Sequence, residues 1–119
     1  MKIKTSELTG KALDWAVARA IGAVEITEGT TRRLELPDGY SVYDRYASTF
    51  SPSTTWSQCG PLIDLYLISV TERGTEGWCA ERPHWGVMTG RTAKEAICRS
   101  AIAELGDEIE IPDELLEEE

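Results

Sequence analysis

A chain of 119 residues has the length of one domain and can bury a core large enough to fold without disulfide staples. With 41% hydrophobic and 28% charged residues it is composed like a globular protein, which excludes a disordered or fibrous chain. The formal charge of -9 sits at one end: residues 107–119 hold eight of the 21 acidic residues and no base, leaving 13 acids against 12 bases before them. That balance excludes a phosphate-tracking surface over the whole molecule but leaves room for a local basic patch.

The opening MKIKTSEL lacks the apolar core of a signal peptide. The longest apolar stretch, Leu62 to Val70, is interrupted by Asp64 and is far too short to span a bilayer. The expected compartment is therefore the cytosol, with no membrane partner. Residues 2–4 suit a short strand. A helix is expected from about Glu7 to Ala20, with Ser6 as N-cap and Gly22 as stop. Leu8, Ala12, Trp15, Ala16 and Ala20 recur on one face of it, so Trp15 reads as core.

Residues 23–46 read as strands and turns. Val24 and Ile26 alternate with polar residues, as do Leu34 and Leu36, and Tyr40 and Val42; Glu28-Gly29-Thr30 and Pro37-Asp38-Gly39 carry turn chemistry. Residues 47–61 form a loop rich in Ser and Thr. Pro61 suits the first turn of a helix, and Ile63, Tyr66, Leu67 and Val70 follow at helical spacing, which predicts a helix over 61–70. The β-branched Ile68-Ser69-Val70 keeps a strand open as the alternative.

Gly77–Arg82 and Trp85–Thr89 read as a hairpin with Pro83-His84 at its turn, Trp78 and Ala80 sharing the covered face. Thr92-Ala93-Lys94-Glu95 is a capping box, the clearest local signal in the chain. It opens a helix to Leu105 with Ile97, Ala101 and Leu105 on one face and Gly106 as its cap. Asp107 to Ile111 alternates like a strand, and Pro112 to Leu116 suits one amphipathic turn. Residues 107–116 are expected to dock on the body and Glu117 to Glu119 to stay solvated.

Chemistry is sparse. Cys59, Cys79 and Cys98 are odd in number and irregular in spacing, which reads as free buried thiols, with no zinc or other metal site. His84 is the sole histidine and the only conventional base for a serine or cysteine nucleophile, yet it falls at a turn. No GxGxxG, GxxxxGK[ST] or GxSxG motif occurs. These absences weigh against an enzyme, assign no catalytic residue and imply no cofactor. The most distinctive surface candidate is the loop with Ser51, Pro52, Ser53, Thr54 and Trp56, which could bind a partner through an aromatic anchor and adaptable hydroxyls. The competing reading has these groups cap the next helix while Phe50 and Trp56 tuck inward. Arg32, Arg33, Arg45, Arg73, Arg82, Arg91 and Arg99 are scattered and read mainly as solvated side chains.

Several segments together resemble the NinX-like family of bacteriophage proteins: MKIKTSELTGKALDWAVARA, SPSTTWSQCGPLI, the W-x-A of Trp78 to Ala80, EAICRSAIAELG and GDEIEIPDELLE. They run in order over nearly the whole chain. The resemblance implies a phage or prophage origin and expression inside a bacterium; it brings no activity, cofactor or catalytic residue with it. Many relatives carry an Asp and a Gly-Gly-Pro where this chain has Thr55 and Cys59-Gly60-Pro61, which puts any chemical role of that aspartate in doubt here. The second half is also similar to small phage domains in which helices pack on an antiparallel sheet.

The expected architecture is a single α+β domain over residues 1–119, sandwich-like, with a mostly antiparallel sheet, two or three packed helices and an acidic segment at 107–119. The expected function is a non-enzymatic phage or prophage accessory protein that binds a host or phage macromolecule, a protein before a nucleic acid. The alternatives are a small enzyme acting on a nucleotide or nucleic acid, and direct nucleic-acid binding.

Overall fold

The computed structural model describes residues 1–116 and shows an α+β fold. In chain order the elements are β1 (Lys2–Lys4), α1 (Gly10–Ala20), β2 (Val24–Glu28), β3 (Thr31–Glu35), β4 (Ser41–Tyr43), α2 (Trp56–Tyr66), β5 (Ser69–Glu72), β6 (Trp78–Arg82), β7 (Gly86–Gly90), α3 (Ala93–Ala101) and β8 (Glu108–Glu110). The strands form three antiparallel ladders, β1–β8, β2–β3–β4 and β5–β6–β7. Sheet β2–β3–β4 packs on α1, sheet β5–β6–β7 packs on α3, and α1 and α2 both pack on α3.

Helix α1 is buried almost all round, from Ala12 through Ala18, with Trp15 fully enclosed. Small alanines let it lie close to both α3 and the sheet. It starts at Gly10 rather than at Glu7, and Ser6 is not its cap. Residues 5–7 instead make a 3-10 turn that the chain's other end holds: the Thr5 amide donates to the Asp107 carbonyl (2.8 Å) and the Thr5 hydroxyl to the Gly106 carbonyl (3.0 Å). This extends the β1–β8 ladder, in which Ile3 faces Ile109. Beyond β8, Ile111 and Leu115 are buried in the core and Leu116 packs at its edge, so the segment up to 116 is docked. Glu117 to Glu119 lie outside the described residues.

Helix α2 departs most from expectation. It begins at Trp56, five residues before Pro61, and ends at Tyr66. Polar tertiary bonds start it. Thr54 and Thr55 amides donate to the Ser51 carbonyl (3.1 and 3.0 Å). The Gln58 side chain accepts from the Ser51 amide (2.6 Å) and donates to the Thr49 carbonyl (2.8 Å). It stops in a Schellman-type turn, the Ile68 amide donating to the Ile63 carbonyl (3.0 Å) with Leu67 left-handed at φ 58. The strand alternative then holds for Ser69 and Val70, which enter β5.

Strand β6 pairs with β7 as expected, from Trp78↔Gly90 to Arg82↔Gly86. Trp78 is half-buried rather than fully enclosed, but it packs against the core with Ala80, so the register stands. At α3 the Thr92 hydroxyl caps the Glu95 amide (3.1 Å). The glutamate reaches one residue further back than the usual box and accepts from the Arg91 amide (2.8 Å). The helix proper ends at Ala101, and a 3-10 turn carries it on over Ala103–Leu105.

Two glycines test this packing in opposite directions. A Cβ on Gly90 would lie 2.5 Å from the Ala96 backbone nitrogen, so neither side could yield without moving β7 off α3. Gly60 lies within α2 with open space around it. Gly90→Ala should cost about 3 kcal/mol, whereas Gly60→Ala should add about 0.5–1 kcal/mol through helix propensity. Chemical denaturation of both variants reads this directly. In the same assay Leu115→Ala, which empties a buried site at the docked carboxy-terminal turn, should lose about 3 kcal/mol.

Candidate functional site

The loop singled out in the sequence folds back on α1. Pro52 is fully buried and Ser53 nearly so; Ser51 is half-buried, and only Thr54 and Trp56 face solvent. The reason is a carboxylate inside the molecule. Asp14, buried in the middle of α1, accepts the Ser53 amide at 2.8 Å, and the Ser53 hydroxyl reaches the Gly10 carbonyl at 3.5 Å. Ser51 and Thr55 hydroxyls share a bond of 3.0 Å. Four of the five loop positions thus hold the chain between α1 and α2. Burial pushes the Asp14 carboxyl up to about 6; the bonds from Ser53 and the charge of Lys11 only partly offset it. Asp14 is invisible to a motif search; its only signal is one acid inside the apolar run Leu13 to Val17.

Beside Asp14 lie Cys59 of α2 and Cys98 of α3, both fully buried. The Cys59 thiol donates to the Lys94 carbonyl at 3.9 Å. A hydrogen bond from Cys98 holds the Cys59 pKa below the usual thiol range, against burial and the charge of Asp14. The same bond, then burial, pushes Cys98 up. Cys79 sits apart on the other face of β6, where Arg73 donates to its sulfur at 3.7 Å.

The outer side of α2 carries the exposed aromatic and aliphatic groups. Trp56 is half-exposed at its first turn, with the Lys94 ammonium 4.7 Å from its ring centroid. Leu65 and Leu67, at the other end, are 61% and 70% exposed. Between them Tyr66 lies 4.1 Å under the Arg82 guanidinium, which also lies 5.6 Å over the half-exposed Trp85. Arg82 itself is buried and donates to the Ser100 and Ala101 carbonyls (3.3 and 3.1 Å) and to Glu104 (2.8 Å). The solvated reading of Arg82 is corrected by this geometry: it finishes the carbonyl end of α3.

A groove of about 450 Å³ runs between the turn after β5 and the start of α3, with Trp78, Thr89, Arg91, Glu95 and Arg99 on its walls. Its charges serve one another: Glu95 binds Arg91 at 3.1 Å and Arg99 at 3.6 Å, while Arg99 also donates to the Leu8 and Thr89 carbonyls. Arg32 pairs with Glu25, Arg33 with Glu28 and Arg45 with Glu114, so each of these cations is matched locally. His84 is exposed at the β6–β7 turn with φ 72. Among the described residues, no group of three or more His, Cys, Asp and Glu is arranged to hold a metal ion, and no helix is long and apolar enough to cross a membrane.

The raised Asp14 pKa fixes a pH dependence. Because the folded chain binds this proton more tightly, it holds more protons than the unfolded chain between about pH 4 and 6. Stability from this group is therefore greatest below that window and is lost as pH rises through it, by about 3 kcal/mol in all. Asp14→Asn keeps an acceptor for the Ser53 amide and carries no charge. The stability of Asp14→Asn relative to the parent should climb by about 2 kcal/mol from pH 4 to 6.5 in urea titrations. A constant difference would mean that Asp14 titrates normally.

No curated protein matches this chain. The family model described as "Bacteriophage P22, NinX" matches residues 4–103, which takes in the loop, Asp14, Cys59, Cys98 and Arg82. The chain therefore belongs to the NinX family of phage proteins.

Proposed function

We propose that this protein is a non-enzymatic phage accessory protein that docks on another protein through the outer side of α2. One observation carries the proposal: Leu67. It occupies the left-handed position of a Schellman turn, where glycine is the usual residue, and a leucine there is strained by about 1–2 kcal/mol. Its side chain is 70% exposed, so no packing in the described chain offsets the strain. Strain held at an exposed apolar residue points to use. The surroundings suit a protein partner: Leu65 and Tyr66 precede it, Tyr66 stacks with Arg82 and Arg82 with Trp85, and aromatic residues and arginine dominate binding hot spots. In this reading Ser51, Pro52, Ser53 and Thr54 position α2, and Trp56 presents a second anchor at its other end. The local pairing of the body's arginines with carboxylates favours a protein over a nucleic acid as partner.

Leu67→Gly separates stability from binding. The variant should melt higher than the parent, by about 1 kcal/mol of added stability. The partner captured by the parent from phage-infected bacteria, once purified, should bind Leu67→Gly and Trp56→Ala at least ten times more weakly by calorimetry. Equal affinity for the parent and both variants would overturn the reading.

A further inference from the structure

Cys59 and Cys98 face each other across the packing of α2 on α3. The Cys59 sulfur lies 3.9 Å from the Lys94 carbonyl oxygen. Within α3 that carbonyl is the partner of the Cys98 amide, four residues on, so the sulfur of Cys59 sits over the peptide group beside which the Cys98 side chain leaves the helix. The Cys59 thiol donates to the Lys94 carbonyl, one turn before Cys98 in α3, and both cysteines are fully buried where α2 packs on α3. Cys79 cannot join them. Strand alternation puts it on the face of β6 opposite Ala80, and Ala80 is the residue turned to the core.

We infer that Cys59 and Cys98 form a disulfide when the protein meets hydrogen peroxide, a covalent lock that ties α2 to α3. The reaction balances in two steps. The Cys59 thiolate attacks one peroxide oxygen, the O–O bond breaks, and the departing hydroxide takes up the thiol proton as water, leaving Cys59 as a sulfenic acid. The Cys98 sulfur then attacks the Cys59 sulfur, the S–O bond breaks, and the hydroxyl leaves as water with the Cys98 proton. Two thiols and one peroxide give one disulfide and two waters.

The order follows from the two environments. The Cys98 S–H stabilises a thiolate on Cys59, which makes Cys59 the attacking sulfur. Cys98, held protonated by that bond and by burial, is already in place to resolve it. Both thiols are fully buried, so peroxide reaches them when α2 lifts from α3, and the bridge forms as the helix settles back. The inference rests on the α2–α3 packing and not on the docking role of Leu67. Loss of partner binding in Leu67→Gly leaves its outcome unchanged.

Cys79→Ser is the variant for the test, because it keeps only the two cysteines in question and alters the face of β6 turned away from the core. After hydrogen peroxide, denaturation and alkylation, the intact protein should lose about 2 Da, take up no alkylating agent, and regain both thiols on reduction. Proteolysis should release one cross-linked peptide pair spanning Cys59 and Cys98, and the oxidised protein should melt at a higher temperature than the reduced. The same chain unfolded in urea serves as the control that the oxidant is competent. If that control oxidises while the folded variant keeps two alkylatable thiols, the inference is wrong. Oxygen added at either cysteine without a cross-link, or a bridge between two chains, overturns it as well.

Discussion

Backbone meets backbone where β7 ends, because Gly90 leaves no side chain between the strand and the Ala96 amide. Gly77 makes a similar approach from the turn before β6, where a Cβ would lie 2.5 Å from the Gly90 carbonyl oxygen. The Gly90 contact seats sheet β5–β6–β7 directly on α3, and the Gly77 contact holds the turn before β6 against the end of β7. The two ends of α3 are then finished by side chains. Thr92 and Glu95 satisfy amides at the first turn, and the Arg82 guanidinium donates to the carbonyls of Ser100 and Ala101 at the last. Both placements also match the sign of the helix dipole. With α3 closed at both ends, its remaining faces are free to take α1 and α2, and α1 in turn carries sheet β2–β3–β4.

What the sequence made legible follows the range of the forces involved. The capping box at Thr92, the β6–β7 hairpin, the turns at Gly29 and Gly39 and the alternation at Ile109 and Ile111 are signals a few residues long, and each lies where it was expected. The start of α2 was not legible, because Trp56 to Gly60 has weak helix propensity and no side-chain cap; Gln58 starts the helix by bonding to residues seven and nine positions earlier. The burial of Pro52 and Ser53 depends on Asp14, some 39 positions away in sequence. Arg82 looked like a solvated cation because nothing local shows that a helix C-terminus, Tyr66 and Glu104 meet around it. The thiol pair was legible only as buried cysteines; their facing positions come from the α2–α3 contact.

Two buried carboxylates set opposing electrostatic demands. Burial alone would raise Glu95, but the bonds and charges of Arg91 and Arg99 outweigh it and hold its pKa below the usual range. Its contribution to stability is present above the ordinary glutamate pKa and is lost as pH falls. Asp14 has no guanidinium against it. Its strongest partner is a neutral amide, so desolvation wins and the ionised form is the costly one. The difference is one of architecture: Glu95 lies at a helix N-terminus beside exposed arginine, whereas Asp14 lies buried in mid-helix against the amide of Ser53.

Helix α2 joins these threads, because little in its own sequence holds it in place. It has a glycine and a proline in its interior, no side-chain cap at its start and a leucine where its stop favours glycine. Its position comes from the loop that Asp14 anchors, from Gln58, and from Cys59 and Leu62 packed against α3. A sequence selected for stability alone would place alanine at 60 and glycine at 67. Departures from local preference that the fold itself does not require tend to gather where a surface is used. Here they gather on the one helix that leaves Trp56, Leu65 and Leu67 in solvent and that is held over a pair of facing thiols. The same weak local hold that makes α2 dependent on its neighbours also lets it lift from α3 more readily than α1, which is enclosed from Ala12 to Ala18, could leave the core.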